Sequence, residues 1–184
     1  MSVYGGKRHY IYLAGNISND VETYHWRERF EDYIDDINRM LIETGISNDD
    51  CFVCMNPCNN AFNAKWKENI NILRHTPSDH LGLLMPKDFH MVKIASIVVI
   101  NLALWTPEKP MFGSVVEEVW SYRDMKPVVG IIGDGTSPYA RHQWSKDMVS
   151  TVVKDEKEAA LVIAEFFAPG PKRYERRAED TVWD

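Results

Sequence analysis

Met111-Phe112-Gly113-Ser114-Val115-Val116-Glu117-Glu118-Val119-Trp120 lies between two strand-like runs. These are Ile97-Val98-Val99-Ile100-Asn101-Leu102 and Pro127-Val128-Val129-Gly130-Ile131-Ile132. Short continuous apolar runs rich in Val and Ile suit strands covered on both faces, so the stretch between them reads as a crossover helix. A helix that opens between two parallel strands puts its first turn at the carboxyl edge of the sheet, where open α/β folds hold ligands. This reading predicts that Glu117 sits in that first turn. Gly113 ahead of it would let a ligand approach the backbone closely.

The same alternation runs outward in both directions. His9-Tyr10-Ile11-Tyr12-Leu13-Ala14-Gly15 reads as a first strand, ended by the polar turn Asn16-Ile17-Ser18-Asn19-Asp20. Val21 to Glu43 reads as a long amphipathic helix, with Tyr24, Phe30, Ile34, Ile37 and Leu41 at helical spacing and Gly45 as its stop. Cys51 to Met55 is a second strand, closed by Asn56-Pro57. Residues 58–85 are the least regular part and read as a functional lid or a subunit contact.

A helix is expected near Lys87 to Ala95, another near Tyr139 to Asp147, a fifth strand at Ser150-Thr151-Val152-Val153, and a last helix over Glu156 to Phe167. The tail from Pro169 is charged and is expected to be mobile or draped on a neighbour. With no repeat or internal linker, the simplest solution is one α/β domain over residues 1–184, with its core at about 9–167. It would be a flavodoxin-like three-layer sandwich around roughly five parallel strands in the order 2-1-3-4-5.

The composition of the 184 residues, 45% hydrophobic and 26% charged, is that of a globular chain rather than a disordered one. A net charge of −6 argues against a nucleic-acid polymer as partner, since such binding needs a basic face. No run approaches the ~20 apolar residues of a membrane span, and the first residues lack a signal-peptide core. Cys51, Cys54 and Cys58 have a spacing that invites a metal reading. No fourth ligand follows, and Cys51-Phe52-Val53-Cys54-Met55 alternates like a buried strand. Reduced thiols and a cytoplasmic setting are therefore expected, with no metal.

A carboxylate at the position of Glu117 suits attack on an electrophilic carbon, such as the anomeric carbon of a sugar. Ser114-Val115-Val116-Glu117 also reads as a capping box, which accounts for both polar residues without catalysis. Glu118 is the weaker candidate, because the next position points roughly 100° around the helix. Asp88 could be an acid near the same edge, or could complement the dipole at the start of its helix. Trp26 and Arg27 could be the core and solvated faces of the long helix. Arg27 could instead hold a phosphate or a sugar hydroxyl through its forked donors. Asn56 could simply end a strand, and Ser114 could hold a 5′-phosphate at a helix N-terminus.

Taken in order, Tyr12-Leu13-Ala14-Gly15, Trp26-Arg27, Asn56-Pro57, Lys87-Asp88, Gly113-Ser114-Val115-Val116-Glu117 and Lys126-Pro127 form a pattern. The pattern resembles the nucleoside 2-deoxyribosyltransferase family and its relatives that hydrolyse nucleoside 5′-monophosphates at the N-glycosidic bond. The resemblance implies that Glu117 attacks the anomeric carbon, that Asp88 protonates the departing base, and that Tyr12 hydrogen-bonds the nucleophile. Gly15, Asn16, Trp26, Arg27, Asn56, Gly113 and Ser114 are the implied substrate contacts. The substrate is a nucleoside or nucleotide, the acceptor is a second base or water, and no cofactor is needed.

The family is oligomeric and shares site residues across subunits. A homodimer or dimer of dimers is therefore expected, with one chain's Tyr139–Trp144 segment near the other's site. The chain departs from the family at Met111, where transferases acting on free deoxynucleosides carry an aspartate that contacts the sugar. It departs again at Ser96, where many relatives have aspartate, and in Gly15-Asn16-Ile17-Ser18, where proline often follows the glycine. The alternatives are a non-catalytic nucleotide sensor and an interaction domain on the same fold, the latter using Trp66, Trp105 and Trp144.

Overall fold

The computed structural model describes residues 8–17, 22–58, 81–105 and 111–169, with backbone alone at 81–84. Five strands alternate with helices along the chain: β1 (His9–Gly15), β2 (Phe52–Met55), β3 (Ile97–Asn101), β4 (Val128–Ile131) and β5 (Thr151–Val153). They form one parallel sheet in the order β2-β1-β3-β4-β5, as the alternation predicts. The helices are α1 (Glu22–Glu43), α2 (Leu81–Ile94), α3 (Phe112–Arg123), α4 (Pro138–Arg141), α5 (Gln143–Met148) and α6 (Glu156–Phe167).

Two apolar clusters flank the sheet, and the two-residue period of β1 divides itself between them. Ile11 and Leu13 point into one, with Trp26, Phe30 and Ile34 of α1 and Ile163 of α6. Tyr12 and Ala14 point into the other, with Val92 and Ala95 at the end of α2 and Met111 before α3. Tyr12 is therefore a tyrosine inside the α2–α3 layer, with no exposed surface.

Helix ends follow local chemistry where that chemistry is strong. Gly45, at φ 90°, ends α1: its N–H donates to the Ile42 carbonyl, and the Ile46 N–H donates to that of Leu41. This paired arrangement needs a residue that tolerates the left-handed region. α6 opens on Asp155, whose side chain accepts from the Glu158 N–H. Glu158 in turn accepts from the Lys154 N–H at 2.6 Å.

Three sequence expectations are corrected. α2 begins at Leu81 rather than near Lys87, so it takes in part of the stretch read as irregular and carries Pro86 inside it. Asp88 is therefore the eighth residue of the helix and does not open it, which removes the dipole account of that residue. α3 begins at Phe112, with Met111 as an N-cap that makes no side-chain bond. Ser114 then lies inside the first turn and Glu117 in the second, so the capping box is overturned. The single helix expected over 139–147 is two short ones, parted at His142. The remainder of the expected excursion, 59–80, and the tail from 170 lie outside the described residues. No helix among the described residues is long and apolar enough to cross a membrane.

Candidate active site

α3 is built inside out. Ser114, Glu117, Glu118 and Ser121 recur at i, i+3, i+4 and i+7, and these polar residues are the buried face of the helix. Phe112, Val119 and Tyr122, on its other side, are exposed. A helix that turns carboxylates toward a core pays a desolvation cost unless something meets them. Tyr12 meets one: its hydroxyl donates to Glu117 Oε1 at 2.5 Å in a buried setting.

The electrostatics follow from burial. Glu117 is 8% exposed, and desolvation pushes its pKa up to about 8, against the pull of the Tyr12 hydrogen bond. Burial raises the Tyr12 phenol as well, and the nearby Glu117 and Asp88 charges raise it further. Tyr12 is thus a fixed donor that does not ionise. Asp88, on α2, is also raised, chiefly by burial. Among the described residues its Oδ1 has no hydrogen-bond partner, and the Lys87 ammonium stands 3.7 Å away. Lys87 is itself tied to the Pro57 carbonyl at 2.8 Å, beside the end of β2. Three acidic groups from three elements thus share one buried region, each held in the protonated form beyond its usual range.

The other sequence candidates divide. Trp26 and Arg27 have no exposed surface. Trp26 is core, as one reading had it, but Arg27 is not on a solvated face: its guanidinium donates to the carbonyls of Leu13, Thr23 and Gly15. Gly15 is small for the sake of this packing. A Cβ there would lie 2.9 Å from Trp26 Cζ2 and 3.3 Å from an Arg27 nitrogen. Asn56 makes a local turn, its side-chain oxygen accepting from the Cys58 N–H at 2.9 Å. Asn16 lies half-buried just past β1. Gly113 is exposed, and a Cβ added there would meet nothing within 4 Å. Ser114 is buried in the same turn. Met111, at the aspartate position, buries its side chain in the apolar cluster while its N–H donates to the Tyr139 hydroxyl at 3.0 Å.

The sequence reading undervalued Arg27 and Glu118, and a signal existed for each. Arg27 falls on the Phe30–Ile34 stripe at i, i+3, i+7, and Glu118 belongs to the polar stripe of α3. Glu118 has no exposed surface, and among the described residues neither carboxylate oxygen has a hydrogen-bond partner of good geometry. Burial pushes its pKa up to about 7, although the Ser145 side chain on α5 favours the charged form. Among the described residues no disulfide joins the three cysteines; Cys51 and Cys58 are buried and Cys54 is half-buried. Among the described residues, no three His, Cys, Asp or Glu side chains are grouped to hold a metal.

A cavity of about 840 Å³ lies at the opposite, amino edge of the sheet, lined by Arg8, Lys93, Ser96, Lys126 and Phe167 among others. It holds none of the buried acids. Its charges are largely occupied: Arg8 pairs with Asp49 at 2.9 Å, and Lys126 donates to the carbonyls of Lys93 and Ala95. α3 opens instead at the carboxyl edge, after β3, and carries Glu117 in its second turn. Neither the protein-family models nor the curated proteins contain a match to this chain.

Proposed function

We propose that this protein cleaves or exchanges the N-glycosidic bond of a nucleoside or nucleoside 5′-monophosphate. The observation that carries the reading is the buried 2.5 Å hydrogen bond from Tyr12 to Glu117, in reach of the Asp88 charge. Two carboxyls in unlike surroundings divide the labour of glycosyl transfer. In its ionised form, Glu117 attacks the anomeric carbon through the oxygen that Tyr12 leaves free. The bond to the base breaks with its electron pair, and the base takes the proton from Asp88. The glycosyl ester on Glu117 is then displaced by a second base or by water, whose proton goes to the Asp88 carboxylate. Tyr12 holds the attacking carboxylate in one orientation and is never ionised.

Two further features support the reading. Gly113 sits in the exposed first turn of α3 and no packing requires it, although glycine costs a helix about 1 kcal/mol relative to alanine. Open space there suits a substrate phosphate or sugar over the free N–H groups of that turn, with Ser114 beside it. Met111 cannot supply the sugar contact that the transferase aspartate supplies, because its side chain is in the core. The outward apolar stripe of α3, with Phe112 72% and Tyr122 59% exposed, and Trp144 69% exposed on α5, supports a homodimer or a dimer of dimers.

The test is to incubate the protein with nucleosides and their 5′-monophosphates, with and without an acceptor base, and to follow free base. Release without acceptor indicates hydrolysis, and release only with acceptor indicates transfer. No release from any of them sinks the proposal.

A further inference from the structure

α3 starts without a cap of its own. Met111, its N-cap, offers no side-chain acceptor to the first turn, and the face on which the helix docks is polar. Met111 is instead held at three points. Its side chain is buried in the apolar cluster that also contains Tyr12. Its carbonyl accepts from the Val115 N–H at 3.0 Å, which closes the first turn. Its own N–H donates to the Tyr139 hydroxyl at 3.0 Å.

Tyr139 is placed in turn by the end of β4. There the chain bends through Gly133 and Gly135, at φ 59° and 72°, conformations that favour glycine. The Gly133 N–H donates to the Lys154 carbonyl, and the Gly135 N–H to that of Ile132. Asp134 Oδ1 accepts from the Thr136 N–H and hydroxyl at 2.9 and 2.6 Å, and Arg141 Nε reaches back to the Gly135 carbonyl at 2.7 Å. Out of this bend α4 opens on Pro138, and Tyr139 packs against the cluster of Tyr12 and Met111. α5 follows and packs against α3 itself.

We propose that Tyr139 is a positioning residue for this reaction: its hydroxyl holds the start of α3 through the Met111 N–H and so fixes where the helix presents Glu117 to Tyr12. The inference rests on the reading of Glu117 as nucleophile and deepens it. Glu117 follows Met111 along one continuous helix, about 9 Å further down its axis. The Tyr12 hydroxyl that meets it belongs to β1, which is held between β2 and β3. A slide or turn of α3 therefore separates the carboxyl group from its donor instead of carrying both along. A misplacement of about 1 Å is enough to cost a reaction roughly a hundredfold. Ser114, Glu117, Glu118 and Ser121, the buried face of α3, supply little apolar packing against such a slide, so a directed hydrogen bond at its start sets the register.

Tyr139→Phe tests this, because it keeps the ring and removes the acceptor. Carboxyl carbon NMR of glutamate-labelled full-length protein, with Glu117→Gln identifying the resonance, should show the Glu117 signal displaced in the variant. Amide exchange should quicken about tenfold at Met111 and Val115 while α1 and α6 keep their protection. In base release, kcat should fall about tenfold with KM unchanged. Arg141→Ala is the milder second variant, since it frees α4 from the Gly135 carbonyl and keeps Tyr139, and it should displace the signal in the same direction by less. An unmoved Glu117 signal in Tyr139→Phe, or in Arg141→Ala should the first not fold, overturns the proposal. So does exchange that quickens equally in every helix, or a raised KM with kcat unchanged, which would make Tyr139 a substrate contact. The spectroscopic readouts need no substrate, so a displaced signal in a protein that releases no base would sink the activity and leave the hold of Tyr139 on α3 standing.

Discussion

The two edges of the sheet treat charge in opposite ways. At the amino edge there is a large cavity, and two of its cations are matched to acceptors: Arg8 to Asp49, and Lys126 to the carbonyls of Lys93 and Ala95. At the carboxyl edge the acids are buried deeper than their partners justify. Among the described residues, Glu117 has one side-chain hydrogen bond, Asp88 has an oxygen with none, and Arg27 has no ion-pair partner. Helix carboxyl termini collect at the amino edge of any parallel α/β sheet, and basic side chains there satisfy orphan carbonyls. Uncompensated acids at the other edge have no such structural excuse. Perturbed groups rather than volume mark where chemistry is done.

The comparison breaks most sharply at Glu117. Glu117→Gln keeps the shape and the Tyr12 contact but removes the nucleophile, so base release should fall by roughly a thousandfold or more. In the unaltered protein, release needs Glu117 ionised and Asp88 protonated, so its pH profile should be bell-shaped and fall on both sides of one optimum. Unchanged turnover in the variant would remove Glu117 from the reaction.

Asp88→Asn comes next. Loss of a general acid typically costs about 10²–10⁴-fold. The deficit should be largest for poor leaving groups and small for activated ones, as steady-state rates on a series of bases would reveal. A uniform deficit would make Asp88 a positioning group.

Glu118→Gln separates burial from catalysis, since Glu118 shares the cost of Glu117 without its partner. A carboxyl raised from an ordinary value of 4.5 to about 7 binds more protons folded than unfolded between those limits. Stability is therefore lost as pH rises through that window. The variant should gain on the order of 2 kcal/mol above the window and nothing below it, as denaturant titrations at two pH values would measure. Equal effects at both would mean that Glu118 is neutral, or paired, throughout.

The smallest effect belongs to the amino edge. Lys126→Ala removes two carbonyl contacts and should cost about 1–2 kcal/mol while base release stays as it was. A selective loss of activity would mean that the two edges communicate.

Strand positions were legible because apolar β-branched runs such as Ile97–Asn101 admit no other reading, and strand order followed from the alternation. Helix starts were less so. Pro86 looks like a boundary because it lacks an N–H, yet α2 continues through it. Ser114 looks like a cap because serine prefers that position, yet α3 starts two residues earlier with an uncapped Met111. Local preference was outweighed by packing in both cases. The chain uses the Asp155–Glu158 cap where no buried site competes for those side chains. The order of motifs along the chain singles out Tyr12, Asp88 and Glu117, and of these the structure joins Tyr12 to Glu117 by a hydrogen bond. The burial of Arg27 was marked by its place on the Phe30–Ile34 stripe, but its bonds to the Leu13 and Gly15 carbonyls of β1 were not, because no amphipathic pattern displays them.

The inverted face of α3 has a consequence for its own persistence. A helix normally stays docked because its apolar stripe leaves water, but the stripe that α3 buries is Ser114, Glu117, Glu118 and Ser121. Each proton that leaves Glu117 or Glu118 weakens this docking further, so the ionisation that the proposed reaction requires of Glu117 would also loosen the helix that carries it. Amide hydrogen exchange, corrected for the intrinsic effect of pH, should lose protection in α3 before α1 or α6 as pH rises. Readiness to react and local opening would then share one proton.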